Sequence, residues 1–282
     1  MSDLADLEQF RGWVGRTDVR QDVITAAPLV ALCALLDRDD PAPMEGDPAP
    51  PLAHWLYFLP NYRQSEAGPD GHALKGSFMP PAPLPRRMWA GSRLEFFKPL
   101  RVGARVARLS RIHDVVPKSG RSGPLLFVTV RHEVSDAEGP VLVDEHDIVF
   151  RGEGSVANPP VPAPEGEKWK REIRPDPVLL FRYSAVTFNS HRIHYDLPYA
   201  TKVEGYPGLV VHGPLIATLL VDLLRRSRPD AVLRAYSFRA LRPLFDTASF
   251  WTCGVPDDEL RSANLWTRDS EGAVTMEARA SW

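Results

Sequence analysis

Apolar and polar positions along this chain change period in the same order twice. "DVITAAPLVALCALLDRD", Asp22 to Asp39, is apolar with helical spacing, and Pro28 limits where its helix can begin. Four runs follow in which Val, Leu, Ile and Phe alternate with polar residues: "SRLEFFKPL", "ARVARLSRIHDVV", "GPLLFVTVRHEVSD" and "GPVLVDEHDIVFRG". These predict a helix followed by a meander of long antiparallel strands. The ingredients then recur. A strand-like "PVLLFRYSAV" precedes a long apolar helix from Pro214 to about Arg226, and strand-like "AVLRAYSFRALRPLF", "ASFWTCGVP" and "AVTMEARA" come after it. "GPLIATLLVDLLRR" is apolar on nearly every helical face, which suits a helix wrapped by sheet. The expectation is an α+β architecture used twice.

Prolines punctuate the copies. "PAPMEGDPAPP" (Pro41 to Pro51) and "MPPAPLPRR" (Met79 to Arg87) predict extended loops, because proline fixes φ and lacks an N–H. The longer, more polar cluster from Ala157 to Pro177 reads as a linker, giving domains over 1–156 and 178–282 joined by 157–177. A length of 282 residues with 44% hydrophobic positions is enough to fill two such cores.

Composition narrows the function classes. No opening run resembles a signal peptide and no segment approaches the ~20 apolar residues of a membrane helix, so a cytoplasmic protein is expected. Cys33 and Cys253 lie far apart and in no metal-ligand spacing, so neither a disulfide framework nor a cysteine metal site is expected. A formal net charge of -2 argues against nucleic acid and for small molecules, because phosphate binding needs a surplus of Lys and Arg. No phosphate-cradling glycine loop stands out, and no cofactor is expected.

Candidate chemistry is concentrated in "RYSAVTFNSHRIHYDLPYATKVEGYPGLVVHGP", Arg182 to Pro214. Imidazole, with an ordinary pKa of about 6.5, can accept and return a proton near neutral pH. His194 precedes "DLPYATK", where Asp196 can cap a helix and Pro198 falls in its first turn, so His194 should project from a loop. "HGP" supplies a helix start whose free N–H groups favour developing negative charge. With Pro214 lacking an N–H, Gly213 becomes the donor, and its missing side chain lets a ligand approach closely. His191, His194 and His212 could alternatively ligate a metal, although no carboxylate sits at helical ligand spacing with them.

The window Asn189-Ser190-His191-Arg192-Ile193-His194-Tyr195-Asp196 resembles the signature of the MaoC-like and R-specific enoyl-CoA hydratase family, roughly Asp-x-Asn-Pro-x-His shortly followed by Asp. His194 falls on that family's catalytic His and Asn189 on its catalytic Asp, while His191 and Arg192 replace Asn-Pro. With "MWAGSRLEFFKPLRVGARV" (Met88 to Val106), the wording is similar to the branch of fungal-type hydroxyacyl dehydratases and mesaconyl-C4-CoA and itaconyl-CoA hydratases. The resemblance implies two fused hotdog domains, each an antiparallel sheet around a central helix, with the motif in the second. It also implies reversible hydration of a short enoyl-CoA, with mesaconyl-C4-CoA to citramalyl-CoA expected first. Itaconyl-CoA hydration, 3-hydroxyacyl-thioester dehydration and thioester hydrolysis are the alternatives, with a non-catalytic acyl-carrier-binding hotdog as the non-enzyme reading.

Under the hydratase reading His194, Asn189 and Gly213 are the catalytic candidates, with no metal. A free substrate carboxylate in an apolar tunnel needs pairing, which makes Arg192, Arg239 and Arg242, with His212, the expected substrate-binding residues. The expected partner is a CoA thioester, with no nucleic acid and no membrane, bound by a monomeric double hotdog or a homodimer.

Overall fold

The computed structural model describes residues 4–120, 123–152 and 159–282. After a short helix α1 (Leu4–Glu8), the first half contains β1 (Thr17–Val23), α2 (Ala26–Leu35), β2 (Arg86–Phe96), β3 (Arg105–Gly120), β4 (Gly123–Asp136) and β5 (Gly139–Arg151). The second contains β6 (Trp169–Ile173), α3 (Pro177–Thr187), α4 (Gly213–Ser227), β7 (Ala235–Ala240), β8 (Phe250–Asp257), β9 (Ser262–Arg268) and β10 (Val274–Ser281).

The ten strands form one sheet in the order β1-β3-β4-β5-β2-β7-β10-β9-β8-β6. Counted outward from the β2–β7 seam, the halves have the same succession of strands, so the repeat seen in the hydrophobic pattern is a repeat of topology. At the seam Gly91 to Glu95 pair antiparallel with Arg239 to Ala235. A Cβ on Gly91 would lie 2.4 Å from the Phe238 carbonyl oxygen, so only glycine permits this approach. Trp89 of β2 packs edge-on to Trp55 at 5.0 Å and contacts Phe238 at 5.9 Å, closing the seam from inside.

Helix α4 is enclosed as its apolar sequence requires: every residue from Leu215 to Leu224 is buried, and it packs on β6, β8, β9 and β10. Its one acidic residue, Asp222, is 1% exposed and accepts from Arg38 Nη1 (2.9 Å), Arg171 Nη1 (2.7 Å) and Arg226 Nε (2.7 Å). Arg38 belongs to the first half, so this network ties the halves together.

"PVLLFRYSAV" is a helix, not the expected strand. Asp176 caps α3 by accepting the Leu179 N–H at 2.7 Å, Pro177 takes the first helical position, and Leu180, Tyr183 and Ser184 are buried at helical spacing. Strands β1, β6 and β9 were not predicted; they are short, and their buried positions do not stand out from their neighbours in the sequence. Within the expected linker, Ala157 and Asn158 lie outside the described residues, and Trp169–Ile173 pairs with β8 as an edge strand.

Between α2 and β2, where the second half has α4, residues 36–85 form a long loop with short 3-10 turns at Ala53–Leu56 and Gln64–Glu66. A buried carboxylate anchors it. Asp144 Oδ2 on β5 accepts from His54 Nε2 (3.0 Å), Trp55 Nε1 (2.8 Å) and His146 Nε2 (2.6 Å). Among the described residues no helix is long and apolar enough to cross a membrane.

Candidate active site

The motif begins where α3 ends. Phe188 turns into the left-handed region (φ 50°), the Asn189 N–H bonds the Ser184 carbonyl at 2.8 Å, and Asn189 Oδ1 accepts the His191 N–H at 3.0 Å. A 3-10 turn, Arg192–His194, then carries His194 inward until it is 7% exposed. Asp196 accepts the Tyr199 N–H at 3.0 Å, the capping contact its sequence suggested. The segment leading to α4 lies alongside, held by Val210 N–H to Ile193 O (3.0 Å) and Val211 N–H to Leu244 O (2.8 Å).

His194 Nδ1 is 2.7 Å from the Val210 carbonyl oxygen. A carbonyl can only accept, so Nδ1 carries the proton and the Nε2 lone pair is left for a substrate or water. Burial lowers the His194 pKa to about 4, the Val210 hydrogen bond opposing this and the charge of His72 adding to it. The imidazole is therefore a neutral base at pH 7.

Four histidines stand in a row. The His212 ring stacks on His194 at 3.7 Å and its Nε2 is 2.9 Å from Ser184 Oγ. The His191 ring meets His194 edge-on at 5.4 Å, and His72 lies 4.1 Å from His191. His72 and its partner Asp70 (Nδ1 to Oδ2, 2.9 Å) come from the first half, to which the sequence reading gave no catalytic part. Burial is the first cause that depresses His72, His191 and His212 below the ordinary imidazole value; the charge of Arg87 comes second for His72, and the charges of neighbouring histidines come second for His191 and His212. Burial raises the Asp70 carboxyl, but the hydrogen bond and charge of His72 outweigh it and hold Asp70 well below the usual range.

The first-half loop docks through Gly71. The Gly71 carbonyl accepts from Tyr62 Oη (2.5 Å) and Ser190 Oγ (2.6 Å), while the Asp70 carbonyl accepts the Arg192 N–H at 2.9 Å. Gly71 has φ +90°, and a Cβ there would be 1.8 Å from the Ser190 carbonyl oxygen. The sequence signal for this arm was "GPDGH", an Asp-Gly turn delivering a histidine. A pocket of about 340 Å³ opens between the two loops, lined among others by Tyr62, Gly68, Phe188, Ser190, Arg192 and Tyr195.

The histidines expected as an alternative metal set are joined differently: Asp70, His72 and His191 bring one potential ligand atom each within 4.8 Å of one another. The chemistry of this donor set fits a cation poorly, because the charge of Arg87 already bears on His72 and His191, and that of Lys75 on His72. Gly213 opens α4 with His212 at its N-cap, and among the described residues its N–H has no acceptor. The nearest atom a Cβ on Gly213 would meet is the Trp89 carbonyl oxygen at 3.8 Å, leaving open space at the helix start.

The three expected arginines fare differently. Arg192 is engaged by Asp196 Oδ2 (Nη2, 2.7 Å), by the Pro69 carbonyl (Nη1, 3.0 Å) and by the Tyr199 ring at 4.1 Å. Arg239 alternates with buried Tyr236 and Phe238, so it projects from the outer face of β7, 72% exposed and 3.3 Å from Glu277; the structure does not bring it to the site. Arg242 keeps its Nη1 buried without a hydrogen-bond partner among the described residues.

Comparison with known proteins decides the family. Residues 52–246 match the family model of hydroxyacyl-thioester dehydratase type 2. The chain belongs to this family. A mesaconyl-C(4)-CoA hydratase of Chloroflexus aurantiacus is 46% identical over 274 residues, covering 95% of this chain and 96% of that protein. Among solved structures, a MaoC-like dehydratase from Phytophthora capsici superposes with a TM-score of 0.73 at 15% identity, over 98% of this chain and 97% of its own. A Mycobacterium tuberculosis protein described as a double hotdog matches with a TM-score of 0.56 at 13% identity, over 95% of each chain. The repeated topology is thus a double hotdog, and this hydroxyacyl-thioester dehydratase relative is a hydro-lyase of acyl thioesters.

Proposed function

We propose that the protein hydrates mesaconyl-C4-CoA reversibly to citramalyl-CoA, with His194 as the acid and base. The carrying observation for the reaction is the buried, Nδ1-protonated His194 presenting a free Nε2 beside the open N-terminus of α4. The substrate follows from the 46% identity, over nearly the whole chain, to a hydratase of that name. Nε2 takes a proton from water, the hydroxyl adds to C3, and electron density moves onto the thioester oxygen, where the Gly213 N–H can receive it. The proton held on His194 then goes to C2, on the same face, so the addition is syn. His212 stacks on the base and limits its rotation.

Asn189 stands where the wider family has a carboxylate. Its Oδ1 is committed to the His191 N–H, which leaves Nδ2 to donate to water or thioester. Asn189→Ala is expected to slow turnover about tenfold, the scale of one hydrogen bond, without altering the pH at which activity falls. Asn189→Asp keeps the turn and removes the donor. A rise in its rate with a new acidic limb would show that the native enzyme is a weakened two-group catalyst instead.

The substrate test is a panel of CoA thioesters followed by mass spectrometry for gain or loss of one water. Mesaconyl-C4-CoA should exceed crotonyl-CoA, which lacks the free carboxylate, by at least about 10²-fold in kcat/KM, as expected where a site's buried polar groups are left unpaired. Itaconyl-CoA is the runner-up. Preference for long 3-hydroxyacyl thioesters would favour the dehydratase reading that the family match supports, and release of free thiol would make the protein a thioesterase.

A further inference from the structure

The proposed acyl group is short. In a four-carbon chain whose C3 is attacked by water, the free carboxylate is bonded to C3 itself, so any cation that binds it must sit among the histidines and not at the end of a tunnel. Of the arginines expected for this role, Arg192 is engaged by Asp196 and Arg239 projects outward.

We infer that Arg87, on the inner face of β2, is the residue that binds the substrate's free carboxylate; this rests on the hydratase reading above. Register places it. Arg87 pairs with Phe150, which is wholly buried, and no bulge intervenes before Trp89, two residues on and therefore on the same face. Trp89 faces inward onto Trp55 and Phe238, and its backbone carbonyl borders the open start of α4 at Gly213. Its neighbour Arg86 is used elsewhere, donating to the Glu204 carbonyl at 2.8 Å. The side chain of Arg87 makes no hydrogen bond or ion pair among the described residues. The nearby carboxylate, Asp70, is occupied twice by His72, through Nδ1 at 2.9 Å and the backbone N–H at 3.0 Å. The adjacent ammonium of Lys75 is satisfied by the carbonyls of Ala82 (3.1 Å) and Leu84 (2.6 Å).

Proximity to the row of histidines shows in its field: the charge of Arg87 helps depress His72 and His191, and it feels Asp70 and Tyr62 in turn. A half-buried guanidinium without an internal anion has lost part of its hydration, and a carboxylate arriving with the substrate offsets that loss through two parallel N–H···O bonds. The same contact fixes C3 beside the base.

The test uses two stable CoA thioethers that cannot turn over, S-(3-carboxypropyl)-CoA and S-butyl-CoA, titrated calorimetrically into wild type, Arg87→Gln, Arg87→Lys and Arg242→Gln. Wild type should prefer the carboxylate ligand, and Arg87→Gln should reduce the ratio of the two affinities about 100-fold, as for truncation of a desolvated charge pair. Arg87→Lys should recover part of it, because lysine keeps the charge but not the fork, and it serves alone should Arg87→Gln not fold. An unchanged ratio, equal losses on both ligands as for a CoA-phosphate contact, or a loss confined to Arg242→Gln would each overturn the inference. Wild-type turnover of mesaconyl-C4-CoA is measured separately. Failure there with the ligand preference intact refutes the substrate reading and leaves Arg87 as a carboxylate binder.

Discussion

Alanine at His194 is expected to lower turnover by about 10²-fold or more, the scale of general acid-base catalysis, in a protein that still folds. The geometry makes the loss specific. Nδ1 is fixed by the Val210 carbonyl, so Nε2 is the nitrogen left free for the proposed proton exchange, and no other ring in the row is held by a main-chain carbonyl in this way. The pH profile is a second readout. Protonation at Nε2 removes the base, so kcat/KM of the native enzyme should rise with pH through the His194 value of about 4 and then stay level to neutrality. The alanine variant should lack that limb. A folded variant with near-native turnover, or one that keeps the limb, would remove His194 from the mechanism.

The largest effect on stability is expected at Asp222. Alanine there leaves Arg38, Arg171 and Arg226 around a site 1% exposed with their acceptor gone. Breaking a buried network by removing its anion costs about 3–5 kcal/mol, and the lower end applies here because Arg226 is a third exposed and can turn to water. Urea unfolding should show the loss as a lower midpoint at unchanged slope. A change below about 1 kcal/mol would mean that the β2–β7 seam joins the halves without help from this network. Because Arg38 lies in the first half, two transitions in place of one would show that the halves had been uncoupled.

Much of this was written in local sequence. The apolar faces of "GPLIATLLVDLLRR" required a helix surrounded by sheet, and α4 is buried throughout. Alternation in β2 to β5 made them strands, and the cap at Asp196 and the helix start at Gly213 were legible around the candidate window, because caps, turns and helix starts act over a few residues. Where two local signals competed, the weaker reading misled: Asp176-Pro177 opens a helix, although the apolar run after it also suits a strand.

What lies across the site depended on chain separation. Ser190 and Gly71 touch although 119 residues apart, and nothing near either residue encodes the other. Asp70 and His72 therefore joined the row of histidines only through the fold. The arginines show the same limit. Arg192 was favoured by lying inside the motif and Arg239 by lying on a strand expected to border the central helix, yet a neighbouring aspartate engaged the first and strand alternation turned the second outward. A motif records which side chains can do chemistry. Which of them are desolvated, unpaired and facing the same space is decided by the packing of two halves, since burial and pairing are properties of what surrounds a group in three dimensions.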